Sequence, residues 1–203
     1  MKLLFIGDSV TDCGCSRKTP EFGQYGIGYV RRIAALRPEH EVVNSGISGN
    51  RVRDLIVRWD KDCLAHEPDV VTLLIGINDV WRQFDNNDPI NQEDFRAGYR
   101  KLIEDTRTAL PKARMILMEP FLLPIPEDRR AWRPFFDEML VTVRDLAAEF
   151  SLEMIPLDGL LFSVGVTRGF SSIAQDGVHP TPLGHEVIAR SWLDRLSQIQ
   201  SVS

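Results

Sequence analysis

The sequence is poor in several features that would mark a special environment. Its 203 residues include only three cysteines. An odd count cannot form a closed disulfide framework. Cys13 and Cys15 make a C-x-C rather than the paired spacing of a zinc site, and Cys63 stands alone. All three are expected to be reduced thiols in a cytoplasmic protein. Long apolar runs are missing as well, none approaching the roughly 20 residues needed to cross a bilayer. Met1-Lys2 is followed only by Leu3-Leu4-Phe5-Ile6 before Gly7 and Asp8, too short for a signal-peptide core. Nor is there a surplus of positive charge: 24 Lys and Arg face 29 Asp and Glu, a formal net charge of −5. Such a chain has no general attraction to phosphate backbones or anionic lipid, so neither nucleic acid nor membrane is expected as a partner. No internal repeat, low-complexity tract or linker divides it, and residues 1–203 are read as one domain.

What is present is ordinary globular material, 43% hydrophobic and 26% charged. A chain of this size should fold to roughly 9,700 Å² of surface from about 33,000 Å², enough burial for a sizeable core without staples. Short apolar runs alternate with amphipathic stretches. Residues 2–6, 41–44, 70–75, 115–118 and 153–155 read as strands; the first, third and fourth are apolar almost throughout, as in strands covered on both faces. Asn91 is placed as an N-cap, with Ile90 and Phe95 as a hydrophobic staple. Phe95, Tyr99, Leu102, Ile103, Thr106 and Leu110 then share one helical stripe. Residues 138–150 repeat that period, and a last helix is expected from Pro180-Thr181 to about Ile199. The proline-rich stretch 120–134 reads as a long irregular segment, of the kind that forms lids or binding walls. Strand–helix alternation implies an α/β protein: a three-layer α/β/α sandwich around a five-stranded parallel sheet, flavodoxin-like, with ligands at the carboxyl ends of the strands.

The unusual residues collect at those strand ends: Gly7-Asp8-Ser9 after the first strand, Asn44–Asn50 after the second, Gly76-Ile77-Asn78-Asp79 after the third, and Asp176-Gly177-Val178-His179-Pro180 near the C-terminus. Each alone is an ordinary turn composition. Together they supply the parts of acyl transfer: a nucleophile, a base, a group that orients the base, and oxyanion donors. Ser9 can sit in a tight turn at the sheet edge, or merely cap the next segment. His179 is the candidate base, with Asp176 able to fold back onto its Nδ1–H through the turn at Gly177. Asn78 offers an amide, and Gly46 and Ser9 offer backbone N–H groups. His40 and His66 fall at helix–strand junctions on the opposite side of the sheet, and His185 lies inside the last helix. No cofactor or metal is implied.

In these four blocks the chain resembles the SGNH (GDSL-type) hydrolases over essentially its whole length. The resemblance implies Ser9 as nucleophile, Gly46 and Asn78 as oxyanion donors, and Asp176 and His179 as the rest of a triad. Val10 stands where the family nickname has Leu. A narrower likeness, in Thr11-Asp12-Cys13-Gly14, Gly28-Tyr29-Val30, Ser48-Gly49-Asn50-x-Val52-Arg53-Asp54-Leu55 and Ile77–Gln83, is to intracellular SGNH acetylxylan esterases, which deacetylate xylo-oligosaccharides. It implies a small-molecule or oligosaccharide ester as substrate and leaves monomer and homo-oligomer both open. Trp81 and Arg82 would suit a sugar-binding rim, although Trp81 packing over the strand end is an equal alternative. Gln175 precedes Asp176 where Trp is expected in these relatives.

Rival readings explain less. Non-carbohydrate acyl esters would suit an SGNH lipase or thioesterase. A metal-dependent phosphoesterase would need more ligands near Gly7-Asp8 and Asp12, where Asn50 is followed by Arg51 rather than His. A haloacid-dehalogenase-like site would want Asp at the place of Val10, and the phosphate-loop pattern is missing. A non-catalytic flavodoxin-like module leaves Asp176 and His179 unexplained.

Overall fold

The computed structural model describes residues 1–15 and 23–201. Five strands, β1 (Lys2–Gly7), β2 (Glu41–Gly46), β3 (Val70–Leu74), β4 (Arg114–Met118) and β5 (Glu153–Ile155), form one parallel sheet in the order β2-β1-β3-β4-β5. That order reverses direction between β1 and β3, the switch point at which open α/β sheets hold their ligands. The helices are α1 (Ser9–Asp12), α2 (Tyr29–Leu36), α3 (Val52–Asp62), α4 (Ile77–Asp85), α5 (Gln92–Ala109), α6 (Arg133–Glu149), α7 (Leu157–Arg168) and α8 (Pro182–Ser201).

The apolar strands are covered on both faces, which is why they show no polar alternation. Leu4, Ile6, Val71, Leu73, Met115 and Leu117 face a layer carrying Leu55 and Trp59 of α3, Tyr99 and Ile103 of α5, and Phe136 and Val143 of α6. Leu3, Phe5, Val70, Leu74, Ile116 and Met118 face the other layer, built from Tyr29 and Ile33 of α2, Leu161 of α7, and Ile188 and Trp192 of α8. Two buried indoles keep their N–H groups satisfied: Trp59 donates to Thr106 Oγ1 at 3.1 Å and Trp192 to Thr72 Oγ1 at 2.9 Å. The accessible surface is 9642 Å².

Helix α5 begins where capping chemistry places it, with the Asn91 side chain accepting from the N–H groups of Glu93 and Asp94. Leu110, the last residue of its expected stripe, is the C-cap and only half-buried. Two boundaries differ from the sequence expectation. Helix α8 starts at Pro182, not Pro180, because Pro180 pairs with Ala174 in an antiparallel bridge and the Thr181 N–H donates to Ile173 O at 2.8 Å. Thr181 Oγ1 then accepts from Gly184 N at 3.3 Å, capping the new helix. The irregular segment is shorter than expected, since residues 127–132 form a 3₁₀ turn and α6 starts at Arg133. Within it Phe121, Leu122 and Leu123 are buried, so this part belongs to the core rather than to a lid.

Candidate active site

The turn after β1 is held by Asp8, whose buried carboxylate accepts from Val10 N at 3.0 Å and caps the one-turn helix α1. Ser9 is therefore the first helical residue rather than the cap, half-buried at the sheet edge. Burial pushes the Asp8 carboxyl up to about 7 against the opposing pull of the Val10 N–H. Asp12, at the other end of the turn, accepts from Ser48 N at 3.0 Å and Ser48 Oγ at 2.5 Å, tying this turn to the loop after β2. Arg58 from α3 ties the ends of β1 and β2 together, donating to Gly7 O at 3.1 Å and Ser45 O at 2.8 Å while its Nε donates to Asn50 Oδ1 at 2.7 Å.

The C-terminal block meets this turn. Ser9 Oγ lies 2.9 Å from His179 Nε2, and His179 Nδ1 lies 2.6 Å from Asp176 Oδ2. The other carboxylate oxygen accepts from the backbone N–H groups of Val178 (3.0 Å) and His179 (2.7 Å). Gly177 makes the turn possible: its φ of +80° is in the glycine region, and a Cβ there would lie 2.1 Å from Ile125 O. Burial works against the charged Asp176, but the His179 side chain and the two N–H donors outweigh it and hold the carboxyl well below the usual range. The Asp176 hydrogen bond raises the imidazole of His179 above its ordinary value despite partial burial. A carboxylate opposite Nδ1 keeps the proton on that nitrogen and presents the Nε2 lone pair to the Ser9 hydroxyl. Such a chain can deprotonate a hydroxyl and return the proton to a leaving group.

Asn78 is buried at the start of α4; its Nδ2 donates to Asn50 O at 3.1 Å, placing the amide beside the turn Ser48-Gly49-Asn50. Gly46 requires a correction. Its N–H donates to Asn44 Oδ1 at 2.9 Å and is not available to an oxyanion. Its missing Cβ serves close approach instead, because a Cβ would lie 2.3 Å from Asp12 N. The N–H groups of Ser9 and Gly49 donate to no acceptor among the described residues. Gly49, three residues further on in the same block, keeps an N–H free among the described residues where Gly46 does not, a difference that the sequence does not signal.

Trp81 lies with its ring 5.7 Å from that of His179, at 50°. Arg82 lies with its guanidinium carbon 5.7 Å from the Trp81 ring centroid, pairs with Asp85 and donates to Asn78 Oδ1 at 3.4 Å, so it contacts both the indole and the amide. His185 is buried on α8, its Nδ1 accepting from Tyr29 N at 3.2 Å and its Nε2 lying 3.1 Å from Cys13 Sγ. Cys13, Cys15 and Cys63 are all free thiols. A cavity of about 530 Å³ between α3 and α5, floored by Asp79, Arg51 and Phe95, touches none of Ser9, Asn78 and His179. Among the described residues, no three or more His, Cys, Asp or Glu converge as a metal-binding group, and no helix is long and apolar enough to cross a membrane.

The family model of the GDSL-like lipase/acylhydrolase family matches residues 5–187. The chain belongs to this family. It is 38% identical, over 95% of its length and 92% of the relative's, to an acetylxylan esterase of Geobacillus stearothermophilus. A solved acetylxylan esterase from that organism superposes with a TM-score of 0.83 at 38% identity, covering 96% of this chain and 93% of that one. A Parabacteroides merdae protein described as a GDSL-like lipase gives a TM-score of 0.89 at 34% identity, covering 96% and 94%. This GDSL-family chain is a carboxylic ester hydrolase, of the acetyl esterase kind.

Proposed function

We propose that the protein removes acetyl groups from xylo-oligosaccharides through a Ser9–His179–Asp176 triad. The observation that carries this reading is the continuous chain Ser9 Oγ–His179 Nε2 and His179 Nδ1–Asp176 Oδ2, at 2.9 and 2.6 Å. His179 takes the Ser9 proton as Oγ attacks the ester carbonyl carbon. The carbonyl oxygen becomes an oxyanion facing the Ser9 and Gly49 N–H groups and the Asn78 amide. When the tetrahedral intermediate collapses, the C–O bond to the alcohol breaks and His179 hands its proton to the departing oxygen. Water, deprotonated by the same imidazole, then attacks the acyl-enzyme, and acetate leaves as Ser9 regains its proton. Asp176 holds the ring and stabilises the imidazolium, without itself taking the proton.

The acetylxylan esterase relatives support the carbohydrate part of the reading, as does the aromatic Trp81 beside the base. The site is tested by comparing acetylated xylo-oligosaccharides with aryl acetate, butyrate and octanoate. Carbohydrate acetate is expected to be preferred, followed by acetyl over butyryl over octanoyl. Preference for octanoyl esters would instead favour a lipase or thioesterase acting on non-carbohydrate substrates. Chelators are expected to change nothing, because every role is filled by a protein group. A loss of activity restored by a divalent metal would contradict the mechanism.

A further inference from the structure

Beside His179 a pocket of about 360 Å³ opens between α4 and the 3₁₀ turn, lined by Trp81, Phe84, Asp85, Asp128, Arg129 and Trp132, with Ala131 at its edge. The hydrolytic mechanism uses none of these side chains. Trp132 is 3% exposed and forms the floor, whereas Phe84 at 40% is an exposed apolar ring with no core role. The Phe84 and Trp132 rings stack at 5.0 Å and 12°, and Trp81 closes on Trp132 at 5.3 Å. The Arg129 guanidinium lies 4.0 Å above Trp132 and 5.2 Å from Trp81.

We propose that this pocket is a subsite for a neutral pyranose residue of the oligosaccharide alcohol, next to the residue that carries the acetyl group. The inference rests on the carbohydrate reading above and extends it to a defined surface. Position argues first. His179 gives its proton to the departing alcohol, so the alcohol lies at the imidazole, and Trp81 joins the imidazole to the pocket. Charge argues second. Asp128 is paired with Arg129 at 2.8 Å and Asp85 with Arg82, so the lining has no unmatched charge to hold an ionic ligand. Composition argues third. An alkyl chain in this space would strip water from two carboxylates and a guanidinium and return no hydrogen bond. A sugar ring lays its C–H face on the exposed Phe84 ring, which Trp132 backs from below, and turns its hydroxyls to those polar groups. Arg129 also donates from Nε to the backbone oxygen of Asp176 at 3.2 Å. A sugar seated on this stack therefore bears on the loop that carries the triad, and its binding energy is expected in kcat as well as in KM.

The test separates the pocket from the reading it extends. Binding of unacetylated xylotetraose and of anionic tetragalacturonate is measured by calorimetry on Ser9→Ala protein. The same is done with Ala131→Trp added, which fills the pocket from an exposed position, and with Phe84→Ala added, which removes its rim. Xylotetraose is expected to bind saturably and tetragalacturonate at least tenfold more weakly, with each added substitution costing tenfold or more of xylotetraose affinity. On otherwise unmodified protein, Ala131→Trp should lower kcat/KM for acetylated xylotetraose at least tenfold more than for aryl acetate. No xylotetraose binding, equal binding by all the proteins, or stronger binding of the anion overturns the subsite. If wild-type protein instead hydrolyses aryl acetate as readily as acetylated xylo-oligosaccharide, the substrate assignment fails. Xylotetraose binding lost on filling the pocket would then still support the subsite.

Discussion

His179 and His185 are close in sequence, and each brings Nε2 near a nucleophilic side chain, Ser9 in one case and Cys13 in the other. What differs is the partner of the far nitrogen. Asp176 faces Nδ1 of His179 and favours a proton there, leaving Nε2 to accept. The Tyr29 backbone N–H faces Nδ1 of His185 and forces that nitrogen to be the acceptor. Neutral His185 therefore carries its proton on Nε2, aimed at the Cys13 sulfur, and cannot take the thiol proton there. Burial strengthens the contrast, pushing His185 down to about 4 and the Cys13 thiol upward. Two pairs of similar geometry thus have opposite chemistry, because one imidazole leans on a carboxylate and the other on a peptide N–H.

The largest effect that would break this comparison is on the base itself. His179→Ala should lower ester hydrolysis by about 10⁴-fold or more, whereas His185→Ala should retain the pH limb of activity. Because Asp176 raises the imidazole of His179, that limb should climb with pH through a midpoint above about 6.5. Asp176→Asn should move the limb to lower pH and cut kcat by up to about 10⁴-fold. A limb that stays in place would remove Asp176 as the cause.

Smaller effects sharpen the picture around Ser9. Asn78→Ala should lower kcat by about 10²–10³-fold with little change in KM; a rise in KM at constant kcat would make it a substrate-binding residue. Arg82→Met should cost roughly tenfold in kcat, about the worth of one hydrogen bond that aims the Asn78 amide. A loss confined to carbohydrate KM would instead assign Arg82 to the sugar rim beside Trp81.

The smallest effect on turnover separates the histidines through stability. In the folded chain His185 stays neutral down to about pH 4, but in the unfolded chain it protonates near 6.5. Between those values the unfolded state binds more protons, so stability falls as pH drops, by about 3 kcal/mol across the window. His179 has the opposite sign: its raised value adds stability below about 6.5 that is lost as pH rises through the folded value. Urea unfolding of wild-type and His185→Gln protein from pH 7 downward should show the acid-side slope reduced in the variant. Parallel slopes would contradict the assignment.

All five strands and the Asn91 cap could be read from the sequence, because buried runs and an Asn before a periodic stripe each have one dominant physical cause. Choices between equivalent residues could not. Pro180 and Pro182 both suit a first helical turn, and only the Ala174 bridge selects the second. Gly46 and Gly49 both offer an unshielded N–H, and only the fold-back of the Asn44 side chain removes the first. The spacing of Asp176 and His179 suggested their contact because a three-residue turn is local. The roles of Arg58 and Arg129 had no such signal, since each binds backbone oxygens far away in sequence.

The most direct test of the central claim is chemical. Fluorophosphonate-treated protein, digested and mapped by mass spectrometry, should carry a single adduct on Ser9. Its rate of formation should follow the His179 limb with pH and fall sharply in His179→Ala, while alkylating Cys13 beforehand should leave it intact. An adduct on Cys13 instead, or undiminished ester hydrolysis by Ser9→Ala, would contradict the account.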